Sequence, residues 1–272
     1  MKLVYGQAPD LTYWWADGYF DFNEQQTPKV RDELAKLFAW HRATELPKTA
    51  DLLAQAAQLM QGELSGAQAC RMYAQARVLI DNVTNQATLV NSAFVELAPS
   101  ITPDQIAHLK RKYGKSNDEF TRDYISGTPT SREAKRLKQS VDRSESLYGK
   151  LEEAQMAAIK QVLATSSFDA AATLKERQRR QQELIDILQN LATNKSTTQP
   201  SAQITQQALR GYIQRSWESP DPAYRAYVQR ITQQACQSFA SIHASTTPTQ
   251  RANAVRVLKG YESDLRILAA QK

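Results

Sequence analysis

Glycine and proline are scarce in this chain, 9 and 10 of 272 residues, and cysteine occurs only twice. Nine glycines leave no room for a Gly-rich phosphate cradle, and neither a P-loop, a Gly-x-Gly-x-x-Gly turn nor a Gly-x-Ser-x-Gly elbow is present. The three histidines, His41, His108 and His243, lie far apart, and no His-x-x-x-His or Cys-x-x-Cys spacing offers a zinc site. No run of 18 apolar residues exists to span a bilayer. Alternating Val/Ile/Thr-rich runs are also missing, which argues against a β protein. These absences predict no metal, no cofactor and no enzymatic activity.

What is present favours helix. Gln, Ala, Leu, Arg and Lys are abundant, all good helix formers. Hydrophobic residues make up 42% and charged residues 23%, as in ordinary globular proteins, with a mean hydropathy of −0.55. The net charge is +6, and Lys110–Lys150 carries 11 Lys/Arg against 6 Asp/Glu. A further basic cluster is Lys175-Glu176-Arg177-Gln178-Arg179-Arg180. Mixed charge of this kind reads as solvated helix faces. No zinc finger, Arg/Gly arm or aromatic RNA-binding signature accompanies it, so nucleic acid is not an expected partner.

Four Thr-Pro dipeptides punctuate the chain at Thr27-Pro28, Thr102-Pro103, Thr128-Pro129 and Thr247-Pro248. Threonine accepts a backbone N–H as an N-cap, and the following proline lacks the N–H that would go unpaired. In Thr102-Pro103-Asp104-Gln105 and Thr247-Pro248-Thr249-Gln250 the glutamine completes a capping box. Apolar stripes follow, spaced three and four residues apart. They run from Val30 to Phe38, from Tyr73 through Ile80 to Leu97, from Leu137 through Tyr148 and Leu151 to Val162, from Tyr224 to Ile242, and from Ala254 to Leu268. Breaks are expected at Pro47, Gln61-Gly62, Ala98-Pro99-Ser100, Gly114, Gly127-Thr128, Ser166-Ser167 and Ser219–Pro222. No tandem repeat is evident beyond the recurring start signal. The prediction is an all-α protein, an elongated bundle of eight or nine helices in a single domain. Residues 1–27 form an aromatic-rich segment packed on or next to the bundle, 28–272 form the bundle, and 193–200 form a flexible loop.

The N-terminal segment holds six of the 22 aromatics within Leu11–Phe22. On a helix Trp15, Tyr19 and Phe22 share a face and Trp14 lies to the side. The rings either staple the segment into the bundle or form an exposed patch for a partner, and Trp14, Trp15, Tyr19 and Phe22 are the candidate partner-binding residues. Asp17 and Asp21, four apart, read as capping or solvating groups rather than an acid–base pair. Cys70 and Cys236 either form one bridge in an oxidising compartment or remain two buried thiols in a reducing one.

The block from Tyr13 to Phe22, the run from Val30-Arg31-Asp32-Glu33-Leu34 to Trp40-His41-Arg42, Leu46-Pro47, and the C-terminal Thr247–Arg251 with Leu258-Lys259-Gly260-Tyr261 resemble a family of uncharacterised Gram-negative envelope lipoproteins. The resemblance covers nearly the whole chain. It implies a precursor lipidated on a cysteine just upstream of Leu3, and a mature domain held in the periplasm by an outer-membrane anchor. That location implies a Cys70–Cys236 disulfide. The Thr102 and Thr247 capping segments also resemble the Leu-Thr-x-x-Gln starts of Spy-type periplasmic chaperones, with Ile101 and Thr246 in the leucine position. The expected function is a non-enzymatic, membrane-tethered protein-binding or scaffold module whose partner is another envelope protein. A chaperone or foldase for exported clients is the alternative.

Overall fold

The computed structural model describes residues 5–89, 92–193 and 202–271. Among these, eleven α-helices and one 3-10 turn account for the regular structure. They are α1 (Ala8–Phe20), α2 (Gln26–Leu59), α3 (Gly66–Ala87), α4 (Ala93–Leu97) leading into the 3-10 turn Ala98–Ser100, α5 (Pro103–Tyr124) and α6 (Pro129–Tyr148). There follow α7 (Glu153–Ala164), α8 (Ala170–Thr193), α9 (Ala202–Trp217), α10 (Pro222–Ala244) and α11 (Pro248–Ala270). The all-α class agrees with the sequence, but the helix count exceeds eight or nine for a definite reason. Two stripes read as continuous are each broken. Gly149, at φ +78°, ends α6 after Tyr148, and the Leu137–Val162 stripe resumes in α7. The Tyr73–Leu97 stripe likewise splits into α3 and α4. Of the loop expected at 193–200, Thr193 is the last residue of α8 and 194–200 lie outside the described residues.

Three of the four Thr-Pro starts cap as expected. Thr128 Oγ1 accepts from Ser131 N at 3.2 Å, Thr102 Oγ1 from Gln105 N at 3.2 Å and Thr247 Oγ1 from Gln250 N at 3.2 Å. Thr27 does not cap. Asn23 displaces it, its Oδ1 accepting from Gln25 N and Gln26 N, both at 3.0 Å, while Asn23 N donates to Gln26 Oε1 at 3.2 Å. Asn23 has a glutamine three residues on to reciprocate, whereas Thr27 has Val30. Thr27 Oγ1 is instead 3.0 Å from the Tyr13 hydroxyl.

Pro47 and Gly114 are not breaks, since α2 and α5 run through them. A Cβ built on Gly114 would meet nothing within 4 Å, so no packing demand singles out that glycine. Pro47 removes the hydrogen bond that the Ala43 carbonyl would accept within α2. The chain divides into two compact units, and their first boundary falls within α2, between Arg42 and Ala43. The first comprises Met1–Arg42, Ile80–Thr121 and Ala171–Pro222, and the second Ala43–Leu79, Arg122–Ala170 and Ala223–Lys272.

The first unit is built on two apolar clusters. Ala98, Ile101, Ile106, Leu109, Ile185, Leu188 and Leu191 form one, and Tyr13, Val30, Leu34 and Leu97 the other. The second unit packs Met60, Tyr148, Leu151, Ile159 and Ala254 together. Each unit also contains the same polar lock, in which two helix starts face one another through glutamines. In the first, Gln26 Nε2 donates to the Ser100 carbonyl at 3.2 Å, and Gln105 Nε2 donates to the Asp21 carbonyl at 2.8 Å and to Gln26 Oε1 at 2.7 Å. In the second, Gln155 Nε2 donates to the Ser245 carbonyl, and Gln250 Nε2 donates to the Lys150 carbonyl at 3.0 Å and to Gln155 Oε1 at 3.1 Å. Each accepting carbonyl lies two residues before the capping residue of the opposite helix. The start signal that recurs in the sequence is therefore a repeated tertiary device, and all four glutamines are buried.

Candidate functional site

The aromatic helix α1 divides its rings between two jobs. Pro9 opens it, and Asp21 ends it in the left-handed region at φ 51°, a conformation that aspartate tolerates better than most residues. Asp17 Oδ1 accepts from Phe22 N at 2.9 Å, so that carboxylate shapes the helix end. Tyr13 is buried, and the Arg31 guanidinium lies 4.0 Å from its ring centroid while also pairing with Asp10 at 2.5 Å. Tyr19 and Phe20 pack on the Ile106–Leu188 cluster and Phe22 on the Val30–Leu34 cluster. Trp14 and Trp15, by contrast, are 59% and 67% exposed. Trp15 rests against Tyr19 at 5.2 Å between centroids, and Tyr19 against Tyr113 at 6.1 Å. Four rings thus anchor the helix and hold two indoles outward. Of the candidate contact residues, Trp14 and Trp15 stand in solvent while Tyr19 and Phe22 are half-buried.

A second apolar surface belongs to the second unit. A groove of about 480 Å³ runs beside the cystine, lined chiefly by Met60, Met72, Tyr73, Cys236, Phe239 and Leu258. Cys70 and Cys236 have their sulfurs at bonding distance, 2.08 Å, with Cα atoms 5.3 Å apart. Gly66 eases that approach. A Cβ there would stand 3.2 Å from Gln237 Cγ and 3.3 Å from Gln237 Cα, so a side chain would require Gln237 to give by a few tenths of an ångström one turn before Cys70. Sequence reading missed the groove because it put Tyr73, with Ile80, on a stripe of the kind that packs in a bundle, and of the two only Tyr73 lines the groove. They are 53% and 46% exposed, and α3 buries no residue fully.

The histidines and the Glu176 cluster are committed to structure. His243 is fully buried. Its Nε2 faces the Gly62 carbonyl at 2.8 Å, which can only accept, so Nε2 carries the proton and Nδ1 accepts from the Tyr148 hydroxyl at 3.0 Å. Burial holds its pKa below the usual histidine range. His108 Nε2 meets the Gly18 carbonyl at 3.1 Å, and His41 Nδ1 meets the Tyr5 hydroxyl at 2.8 Å. In the basic cluster, Arg179 and Arg180 hold the buried Glu176 carboxylate at 2.9 and 3.0 Å. Burial alone would raise its pKa, but hydrogen bonds from the two guanidiniums override that and keep it low. Arg177 lies over Phe120, and Arg215 pairs with Glu183 at 2.5 Å. Among the described residues no three His, Cys, Asp or Glu side chains gather as a metal ion requires, and no helix is long and apolar enough to cross a membrane.

What the fold and surfaces define is an all-α protein of two glutamine-locked units, one bearing an outward tryptophan pair and the other a cystine-braced apolar groove. The chain belongs to a family of unknown function, DUF6279, which it matches over residues 18–207. The match takes in Tyr19, Phe22 and Cys70 and leaves Trp14, Trp15 and Cys236 outside. No curated protein and no solved structure matches the chain.

Proposed function

We infer that this is a non-enzymatic protein-binding or scaffold module of the bacterial envelope, tethered to the outer membrane through a lipid on its precursor and working in the periplasm. The observation that carries the binding role is the exposure of Trp14 and Trp15 on a helix that Tyr13, Tyr19, Phe20 and Phe22 fix in place. Tryptophans held rigidly in solvent lose little entropy on binding and are enriched among interface hot spots. The cystine supports the compartment, because such bonds persist where the medium is oxidising. The test is crosslinking and pull-down of the lipidated precursor from its own envelope, comparing wild type with Trp14→Ala/Trp15→Ala. Loss of one discrete crosslinked protein in the variant is the expected result. An unchanged partner set removes these indoles as the contact.

The chaperone reading keeps a place because apolar surface is presented in both units, and flexible Met-containing surfaces suit many clients. It requires the purified domain to suppress aggregation of several unfolded clients at up to equimolar ratio. No effect on any of them removes it.

A further inference from the structure

The groove of the second unit has a chemistry of its own. Of its fourteen lining residues only Tyr73 and Thr232 carry a side-chain hydrogen-bonding hydroxyl, and the rest are Ala, Leu, Ile, Met, Phe and Cys. A peptide backbone entering it would bring N–H and C=O groups that these two hydroxyls cannot satisfy. A hydrocarbon chain brings none. The volume, about 480 Å³, falls within the range that encloses one small ligand.

Charge distinguishes the two units. The second carries 18 Lys/Arg against 12 Asp/Glu, the first 16 against 16, so the whole +6 of the chain resides in the unit that bears the groove. Three of these cations directly adjoin groove-lining residues in the chain, Arg71, Lys259 and Arg230, the last of which lies over the Tyr227 ring at 5.9 Å. One carboxylate does so, Glu63 before the lining Leu64. Arg71 stands between Cys70 and the lining Met72, and Lys259 follows the lining Leu258. Both are exposed, and neither forms an ion pair among the described residues. Elsewhere in the unit Lys48, Lys135, Lys138 and Arg266 are engaged with Glu45, Asp123, Asp142 and Glu262 respectively.

We propose that this groove binds one anionic single-chain amphiphile, a long-chain carboxylate, with the hydrocarbon chain along Met60, Met72, Phe239 and Leu258 and the carboxylate drawn to Arg71 and Lys259. An apolar slot in a cationic unit matches a ligand that is apolar along its length and negative at one end. The site is independent of the Trp14–Trp15 surface, so either reading can fail without the other.

The test uses the oxidised protein and saturated carboxylates of 10 to 16 carbons below their micelle concentrations, followed by isothermal titration and native mass spectrometry. One molecule is expected to bind per chain, with affinity rising about fourfold for each added methylene until the groove is full. Arg71→Gln/Lys259→Gln alters only exposed positions. It is expected to weaken the 16-carbon carboxylate about five- to tenfold and leave the matching alcohol unchanged, in keeping with two exposed charge contacts. Tyr73→Ala, also at an exposed position, is expected to weaken carboxylate and alcohol alike. The proposal is overturned by absence of saturable one-to-one binding, by equal affinity for 10 and 16 carbons, or by a charge variant that binds the carboxylate as wild type does. Binding seen only on anionic vesicles, with no complex to the monomeric carboxylate, also overturns it.

Discussion

Removing Gln155 tests whether the paired glutamines are more than helix caps. Its side chain accepts from Glu152 N at 2.8 Å and from Gln250 Nε2 at 3.1 Å, and donates to the Ser245 carbonyl. Gln155→Ala strands the Ser245 carbonyl, half-strands the Gln250 amide and leaves a void at a fully buried position. At about 1–3 kcal/mol for each buried polar group left without its partner, the expected loss is about 3 kcal/mol. Gln155→Glu separates the two roles. A glutamate at that position still accepts from the capping residue, as in an ordinary capping box, but has no N–H for Ser245. It is therefore expected to lose about 2 kcal/mol despite keeping its cap. Gln68 provides the comparison. It forms a capping box with Ser65 at 2.8 and 3.2 Å and no cross-link, so Gln68→Ala should cost only about 0.5–1 kcal/mol. Urea unfolding followed by far-ultraviolet circular dichroism gives each value, provided the slope with denaturant is unchanged. The double variant Gln155→Ala/Gln250→Ala should cost about 1–2 kcal/mol less than the two single changes added together, because the partners share bonds. Strict additivity, or a Gln155→Ala no worse than Gln68→Ala, refutes the lock.

Two further outcomes follow from the second unit. The Cys70–Cys236 bond closes 166 residues, so in the chain-entropy treatment Cys70→Ser/Cys236→Ser costs about 5 kcal/mol. Thermal melts with and without reductant should differ widely for wild type and not at all for the variant, and coincident wild-type melts reject the bridge as a brace. His243 titrates below the ordinary histidine value near 6.5 because it is buried. The unfolded chain then takes up a proton that the folded chain refuses, so stability is whole above pH 6.5 and declines as pH falls towards the folded pKa. His243→Gln should flatten that part of the curve in pH-dependent urea melts, and an identical slope in both proteins contradicts the assignment.

How far the fold could be read ahead of coordinates depends on the range of the interaction concerned. Thr102, Thr128 and Thr247 cap helices through bonds closed within three residues, so a local pattern suffices to find them. The same glutamines that complete those caps also reach carbonyls 84 and 100 residues away, and nothing in a four-residue window announces it. Pro47 and Gly114 misled in the opposite direction. A breaker residue acts only on local propensity: the 34-residue helix around Pro47 is held by burial on either side, at Leu34 and Leu46 and at Ala50 and Ala57, and one glycine costs the 22-residue helix around Gly114 only about 1 kcal/mol. The Tyr73–Ile80 stripe marks the deeper boundary. Spacing of three and four establishes that a helix has an apolar face but carries no information about what covers it. Leu265 and Leu268 are covered by the chain itself, whereas Tyr73, Ile80, Trp14 and Trp15 are not. Faces that periodicity would assign to the core and the fold leaves open are where burial remains to be gained by binding. That is why Tyr73, Trp14 and Trp15, whose covering the spacing leaves undecided, stand where the proposed contacts form.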